Sequence, residues 1–171
     1  ILILLIAKKK IMLGIFIKKR IGDRNYQKSN RLTTVDFDAS IRAQKLTREI
    51  LASSTASERQ KLGEALLDEL SDLAKIEIIT LKISDTRQYH KKINGRVTTK
   101  RYGYYRPGSN YIYIQNLTAV RGQILAAKTF LDTLLHEWLH HYDTHKLRLN
   151  SIHSRGFYER LSDLHLKLAI K

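Results

Sequence analysis

Apolar residues along this chain change period several times, and each change marks an element. Between residues 36 and 53, Ile41, Leu46 and Ile50 form a sparse helical face, with Asp38 or Ser40 available to cap it. Residues 53–57 read as a turn. Leu62, Leu66, Leu67, Leu70 and Leu73 then recur at spacings of three and four behind a Ser57-x-x-Gln60 capping-box pattern. They predict a second helix to about Ala74, with its leucines in the core. Ile76, Ile78, Ile79, Leu81 and Ile83 are β-branched-rich and nearly continuous, which predicts a strand. Residues 85–95 read as a loop ending in Asn94-Gly95. Residues 96–106 and 111–115 read as two strands joined by the turn formers Pro107-Gly108-Ser109-Asn110. From 123 to 146 there is no Gly or Pro, and Phe130, Leu131, Leu134, Leu135, Trp138 and Tyr142 lie on one helical stripe. Tyr158, Leu161, Leu164, Leu166 and Leu168 predict a last helix to about Ala169, packed on the one before it. The expected fold class is α+β: a small antiparallel sheet over the 123–146 helix, with additional helices.

That helix carries His136-Glu137-Trp138-Leu139-His140, an H-E-x-x-H sequence. Residues four apart share a helix face, so His136 and His140 present two imidazoles to one point, as a tetrahedral zinc ion requires. Glu137, beside the first imidazole, is placed to act as general base on a zinc-activated water. The chain has only 7 His, and chance would produce this pattern about 0.01 times in a chain of this composition, so it is read as functional. A catalytic zinc takes a third protein ligand. His141 points about 100° away from His140, and His145 drifts off the face. His153 follows a break in the helical pattern at Asn150-Ser151 and precedes Gly156, where the chain can turn back. Glu159, from the last helix, is the alternative.

His136-Glu137-x-x-His140, followed by His153 and an aromatic Phe157, resembles the SprT-like zinc metallopeptidase domain over about residues 76–165. Where that family often has glycine directly after the third histidine, this chain has Ser154, with Gly156 close behind. The resemblance implies a zincin-like fold, Zn2+ as cofactor, and His136, His140 and His153 as ligands. It further implies peptide-bond hydrolysis with Glu137 as base, on a protein or peptide substrate lying antiparallel along an exposed strand near residues 111–115. Tyr142 or Tyr113 is then a candidate to steady the oxyanion. Family members act on proteins attached to DNA. The alternatives are a zinc-stabilised DNA-binding module without turnover, and a regulatory peptidase resembling the ImmA/IrrE group, for which Glu159 is the more natural third ligand.

Charge adds a partner class. Of 171 residues, 31 are basic and 16 acidic, a formal net charge of +15. That favours a polyanion such as DNA; a lysine-rich codon bias is the other explanation. Between 87 and 106 basic residues interleave with Tyr89, Tyr102, Tyr104 and Tyr105 and no acidic residue occurs, so Lys100, Arg101 and Arg106 are candidate nucleic-acid contacts. An ordinary hairpin with a basic outer face is the alternative. Cysteine is absent, so any metal is held by imidazole and carboxylate. Residues 1–32 form a basic, partly apolar N-terminal segment in which little order is expected, ahead of a single domain over 33–171. The apolar runs at 1–7 and 11–17 fall short of the about 20 residues that span a membrane, and their basic residues follow rather than precede the apolar stretch, unlike a secretory signal. Translation starting at Met12, a missing true start, and a short membrane-surface anchor are the three readings. A cytoplasmic location is expected.

Overall fold

The computed structural model describes residues 24–93 and 96–170, with the backbone alone at 90–93 and 96–100. The fold is α+β. Helix α1 (residues 24–31) is followed by α2 (Ile41–Ala52) and α3 (Ala56–Ala74). Ser40, not Asp38, caps α2: its hydroxyl oxygen accepts from the Ala43 amide at 3.0 Å, and the hydroxyl donates to Glu69 of α3 at 2.6 Å. Ala43, Leu46 and Ile50 form the buried face. Ile41, expected on that face, is 85% exposed, because five residues at about 100° each carry it roughly 140° around from Leu46.

The cap of α3 also differs from expectation. Thr55 is the N-cap, in a capping box with Glu58, whereas Ser57 lies inside the first turn. Gln60 has another use. Its side-chain amide accepts from the Ile83 amide at 2.7 Å and donates to the Leu81 carbonyl at 2.8 Å, pairing with strand β1 (Thr80–Arg87) as a neighbouring backbone would. Leu66, Leu67 and Leu70 are fully buried, as their periodicity predicts.

Strand β1 starts later and ends later than its apolar run. Ile76 and Ile78 precede it, and Ile78 is 64% exposed. The stretch expected to be a loop holds the end of β1 and strand β2 (Tyr89–Ile93), which pairs antiparallel with β3 (Arg96–Arg101) in a separate two-stranded sheet. The polar β2 has no apolar alternation to announce it, and the single strand expected over 96–106 is interrupted at Tyr102; Asn94-Gly95 lies outside the described residues. β4 (Gly103–Arg106) and β5 (Tyr111–Leu117) form the expected hairpin through the Pro107–Ser109 turn and Asn110, whose φ of 45° is left-handed.

The main sheet has the order β1-β5-β4. The expectation of an antiparallel sheet is corrected here, because β1 and β5 run parallel and only β4 and β5 run antiparallel. A parallel pair needs a connection of a dozen or more residues. Residues 88–110 supply it, leaving β1 through the β2–β3 hairpin and laying β4 on the far side of β5.

The inner face of this sheet presents Leu81, Ile83, Ile112 and Ile114, all buried. Against it lies α4 (Ala127–His145), whose Phe130, Leu131, Leu134, Leu135, Trp138, Leu139 and Tyr142 are fully buried. The Trp138 indole N–H donates to Ser71 of α3 at 3.3 Å, so the one polar atom of that ring is satisfied. A loop leads to α5 (Arg155–Lys167), capped by Ser154, whose hydroxyl accepts from the Phe157 amide at 3.1 Å. Leu164 and Leu168 are buried, but Tyr158 and Leu166, expected on the same face, are 51% and 78% exposed. Leu166 lies two residues from Leu164, about 200° around the helix.

Helix α1 is the largest departure from expectation, since it falls where little order was expected. It docks through polar atoms. Asn25 exchanges two hydrogen bonds with the backbone of Asn150 at 2.8 and 2.9 Å, Lys28 donates to the Leu147 carbonyl, and Asn30 accepts from the Gly156 amide at 3.2 Å. At its end the buried Arg160 guanidinium of α5 joins α1 to α4. It donates to Asp143 at 2.6 and 2.9 Å, to the Ser29 carbonyl at 2.9 Å, to the Ser29 hydroxyl at 3.2 Å, and to the Leu32 carbonyl. Residues 1–23 lie outside the described residues. Among the described residues no helix is long and apolar enough to cross a membrane.

The α1–α5 contact is close enough to test. A Cβ added at Gly156 would lie 1.9 Å from the Ser29 carbonyl oxygen and 2.8 Å from the Asn30 Cα, both backbone atoms. Gly156→Ala is expected to lower stability by about 1–3 kcal/mol, the usual cost of overpacking. Gly108→Ala, with nothing within 4 Å of the new atom, should be neutral. Urea midpoints of the two variants against the parent check this; equal midpoints for Gly156→Ala and the parent would refute the packing account.

Candidate metal centre and cleft

Helix α4 puts His136 and His140 one turn apart on the side facing away from its core stripe. His153 comes from the α4–α5 loop, five residues after Arg148, whose φ of 54° is left-handed. The three Nε2 atoms converge: His136 to His153 is 2.9 Å, His140 to His153 is 3.1 Å, and His136 to His140 is 3.3 Å. Ligand atoms held tetrahedrally at about 2.0–2.1 Å from zinc lie about 3.3 Å apart, so the three nitrogens fit one ion. Among the described residues, this is the group of three His, Asp or Glu side chains whose donor atoms meet. Phe157, fully buried at the start of α5, packs its ring against all three imidazoles at centroid distances of 4.6–5.3 Å. Ser154 serves as the cap that starts α5, and its hydroxyl meets that of Ser29 at 2.6 Å.

Burial sets the protonation of the site. It pushes the His136 pKa down to about 4, with the neighbouring His153 adding to the effect. It pushes His140 down to about 3, helped by His136 and His153. Both imidazoles are therefore neutral at neutral pH, the form that binds metal. The same burial pushes Glu137 up to about 7, opposed by the Tyr105 backbone amide and the Arg101 charge. A carboxyl near 7 is poised to exchange a proton at neutral pH.

These groups line a cleft of about 1030 Å³, bounded by residues 101–105 on one side and the 149–153 loop on the other. The strand at the cleft is β4. β5, where a substrate strand was expected, is the central strand, and both its backbone edges are taken by β1 and β4. β4 pairs only with β5 in that sheet, so its other edge faces the cleft. Neither tyrosine named for the oxyanion lines the cleft. The Tyr142 hydroxyl is buried and accepts from the Asp36 amide at 2.8 Å; Tyr113 stacks on Tyr104 on the outer face of the sheet.

His141 stands off the metal cluster, as its helical angle predicts. Its Nε2 meets the Glu77 carbonyl at 2.7 Å and its Nδ1 the Tyr105 hydroxyl at 3.0 Å. His145 stacks on His141 at 4.3 Å. Glu159 pairs with Arg155 at 3.4 Å and is not among the convergent donors. Of the candidate nucleic-acid contacts, the Arg101 guanidinium lies over Tyr89 and Tyr104 at 5.4 and 5.2 Å, and Arg106 over Tyr104 at 4.9 Å. The Lys100 side chain lies outside the described residues. Sequence reasoning missed Tyr105, Ser151, Asp143 and Arg160. Asp143, three residues after His140 on the same helix, carried a positional signal; Arg160 and Ser151 carried none.

Comparison with family models, curated proteins and solved structures finds no match to this chain. The function must therefore be argued from the site.

The depressed histidines give the metal-free protein a pH dependence of definite sign. Unfolded, the imidazoles titrate near 6.5; folded, near 4 and 3. Between those values the unfolded chain binds more protons, so stability is lost as pH falls through the window. Glu137 acts oppositely between its ordinary 4.5 and about 7, where the folded state holds the extra proton. Two imidazoles outweigh one carboxyl. The urea midpoint of metal-free protein is expected to drop from about pH 6.5 to about pH 4.5, and the drop should shrink in a His136→Gln, His140→Gln double variant. A midpoint that rises on acidification would contradict this account.

Proposed function

We propose that this chain is a zinc-dependent metallopeptidase, of the SprT-like kind that its motif resembles. The observation that carries the reading is the convergence of three imidazole nitrogens, with His136 and His140 held neutral by burial, beside a carboxyl poised near pH 7. His136, His140 and His153 would hold the ion. Zinc in such a site lowers the pKa of water toward about 7 and polarises a carbonyl. The residues of the chain supply the rest. β4 offers unpaired backbone groups at the cleft, on which an extended peptide can add as a further strand. Glu137 takes a proton from the attacking water and delivers it to the leaving amine. The Arg101 charge favours the ionised form of Glu137.

A regulatory peptidase with Glu159 as third ligand is less well supported, because Glu159 is turned to Arg155. A zinc-stabilised DNA-binding module draws on a different observation. Tyr104, Tyr111 and Tyr113 lie together on the outer face of the sheet with Arg101 and Arg106 stacked among them, an arrangement that suits single-stranded nucleic acid. The two readings are compatible, and DNA is proposed as a partner of the peptidase. A cytoplasmic setting belongs to the same proposal.

Glu137→Gln is expected to keep zinc and fold while peptide cleavage falls by roughly 10²–10⁴-fold, the worth of a general base. His140→Ala should lose zinc and melt lower, since a bound metal stabilises the state that binds it. Zinc content, melting temperature and cleavage of an unfolded protein substrate, with and without DNA, are the measurements. Cleavage by Glu137→Gln at the parental rate would remove the catalytic assignment.

For the partner, replacing Arg101 and Arg106 together with Glu should weaken binding of a single-stranded oligonucleotide and flatten its salt dependence, leaving zinc content unchanged. Fluorescence anisotropy over a salt series reads this directly. Equal affinities for variant and parent would make the outer face merely a solvated one.

A further inference from the structure

We infer that Ser151, backed by the buried Asp143, is a positioning residue that holds His140 in the tautomer a metal ligand requires. The inference rests on the metal-site reading above and deepens it.

The Asp143 carboxylate and the Arg160 guanidinium are both fully buried and form a two-pronged pair, Nε to Oδ1 at 2.9 Å and Nη2 to Oδ2 at 2.6 Å. The guanidinium has five N–H groups. Two go to Asp143, two from Nη1 to the carbonyls of Ser29 and Leu32, and one to the Ser29 hydroxyl. A cation committed in this way keeps its partner anionic, because a buried charge without its counter-charge is strongly unfavourable. An ionised carboxylate only accepts hydrogen bonds.

Ser151 Oγ lies 3.4 Å from Asp143 Oδ2 and 2.7 Å from His140 Nδ1. A hydroxyl has one proton. Facing a carboxylate it gives that proton to Asp143, and its oxygen is left to accept from His140. Nδ1 of His140 must then carry the ring proton. A neutral imidazole has only one, so Nε2 presents its lone pair to the point shared with His136 and His153. In the opposite tautomer, Nε2–H would lie at the point shared with His136 and His153, 3.3 and 3.1 Å away, and His140 would have no lone pair there for an ion. The relay Asp143–Ser151–His140 thus fixes both the orientation and the proton of one ligand. Metal-binding histidines commonly have their second nitrogen held this way, and losing that partner weakens metal binding by roughly 10- to 100-fold.

Ser151→Ala isolates the relay, since it leaves the Asp143–Arg160 pair intact. Ser151→Thr keeps the hydroxyl. Zinc affinity is measured by competition with a chromophoric chelator, the tautomer of His140 by imidazole ¹⁵N chemical shifts in the metal-free protein, and its integrity by melting temperature. The expected result is a roughly 10- to 100-fold loss of zinc affinity in Ser151→Ala, loss of the Nδ1–H signature, an unchanged metal-free melting temperature, and near-parental values for Ser151→Thr. Zinc bound equally tightly by Ser151→Ala and the parent overturns the relay while the metal site stands. A loss of affinity with the tautomer unchanged and the metal-free melting temperature lowered makes Ser151 a structural residue, and also overturns it. A parent that binds no zinc overturns the metal site and the relay together.

Discussion

A guanidinium with no exposed surface is the constraint on which the site side of this fold depends. Arg160 cannot shed its charge, and outside water it must find oxygen for every N–H. It finds five, from α1, the residues just after it, and α4. The neighbouring helices α4 and α5 and the distant α1 are thereby fixed to one planar group. Burial raises the Asp143 pKa and Arg160 opposes it, so the pair coheres only while both members are present. The loop carrying His153 is strung between α4 and α5, the two helices that this pair joins, and α1 holds it from the side through Asn150, Leu147 and Ser154. His153 is thus placed by polar contacts, whereas His136 and His140 are placed by a helix.

Helix α4 divides the two environments. One stripe, from Phe130 through Trp138 to Tyr142, is sealed against the sheet and the α2–α3 layer. The other side carries His136, Glu137 and His140 into the cleft. Partial burial acts on all three in the same physical sense, favouring the uncharged form. For the imidazoles this would leave a metal no proton to displace near neutral pH. For the carboxyl it raises the pKa to where a proton can be gained and lost at neutral pH. One low-dielectric wall therefore suits both of the proposed roles, metal binding by the imidazoles and proton exchange at Glu137.

The parts legible in the sequence were those that periodicity or spacing controls. The α4 stripe, the Leu stripe of α3, the β4–β5 hairpin and the grouping of His136, His140 and His153 follow from local pattern. The rest depends on contacts between distant residues. α1 has few apolar residues to mark it, and it docks through Asn25, Lys28, Ser29 and Asn30. Nothing local says that β5 is the middle strand, so neither the parallel pairing with β1 nor the shift of the free edge to β4 could be read from residues 76–83 or 111–115. Nothing in the sequence separates Arg160 from a solvated arginine, and Ser57-x-x-Gln60 fits the same capping template as Thr55-x-x-Glu58 two residues later.

The position of β4 at the cleft also has a physical cause on the back of α4. The Glu77 carbonyl only accepts, so His141 Nε2 must carry the proton that meets it at 2.7 Å. His141 Nδ1 is then an acceptor, and the Tyr105 hydroxyl donates to it at 3.0 Å. Burial pushes the Tyr105 pKa up to about 12, so that donor keeps its proton. Tyr105 belongs to β4, and its backbone amide reaches the Glu137 carboxyl. His141, one residue from His140 and pointing to the other side of the helix, therefore anchors the strand whose amide holds the Glu137 carboxyl. The adjacent His140 and His141 do separate work because 100° of helix turn sends one to the cleft and the other to the wall that shapes it.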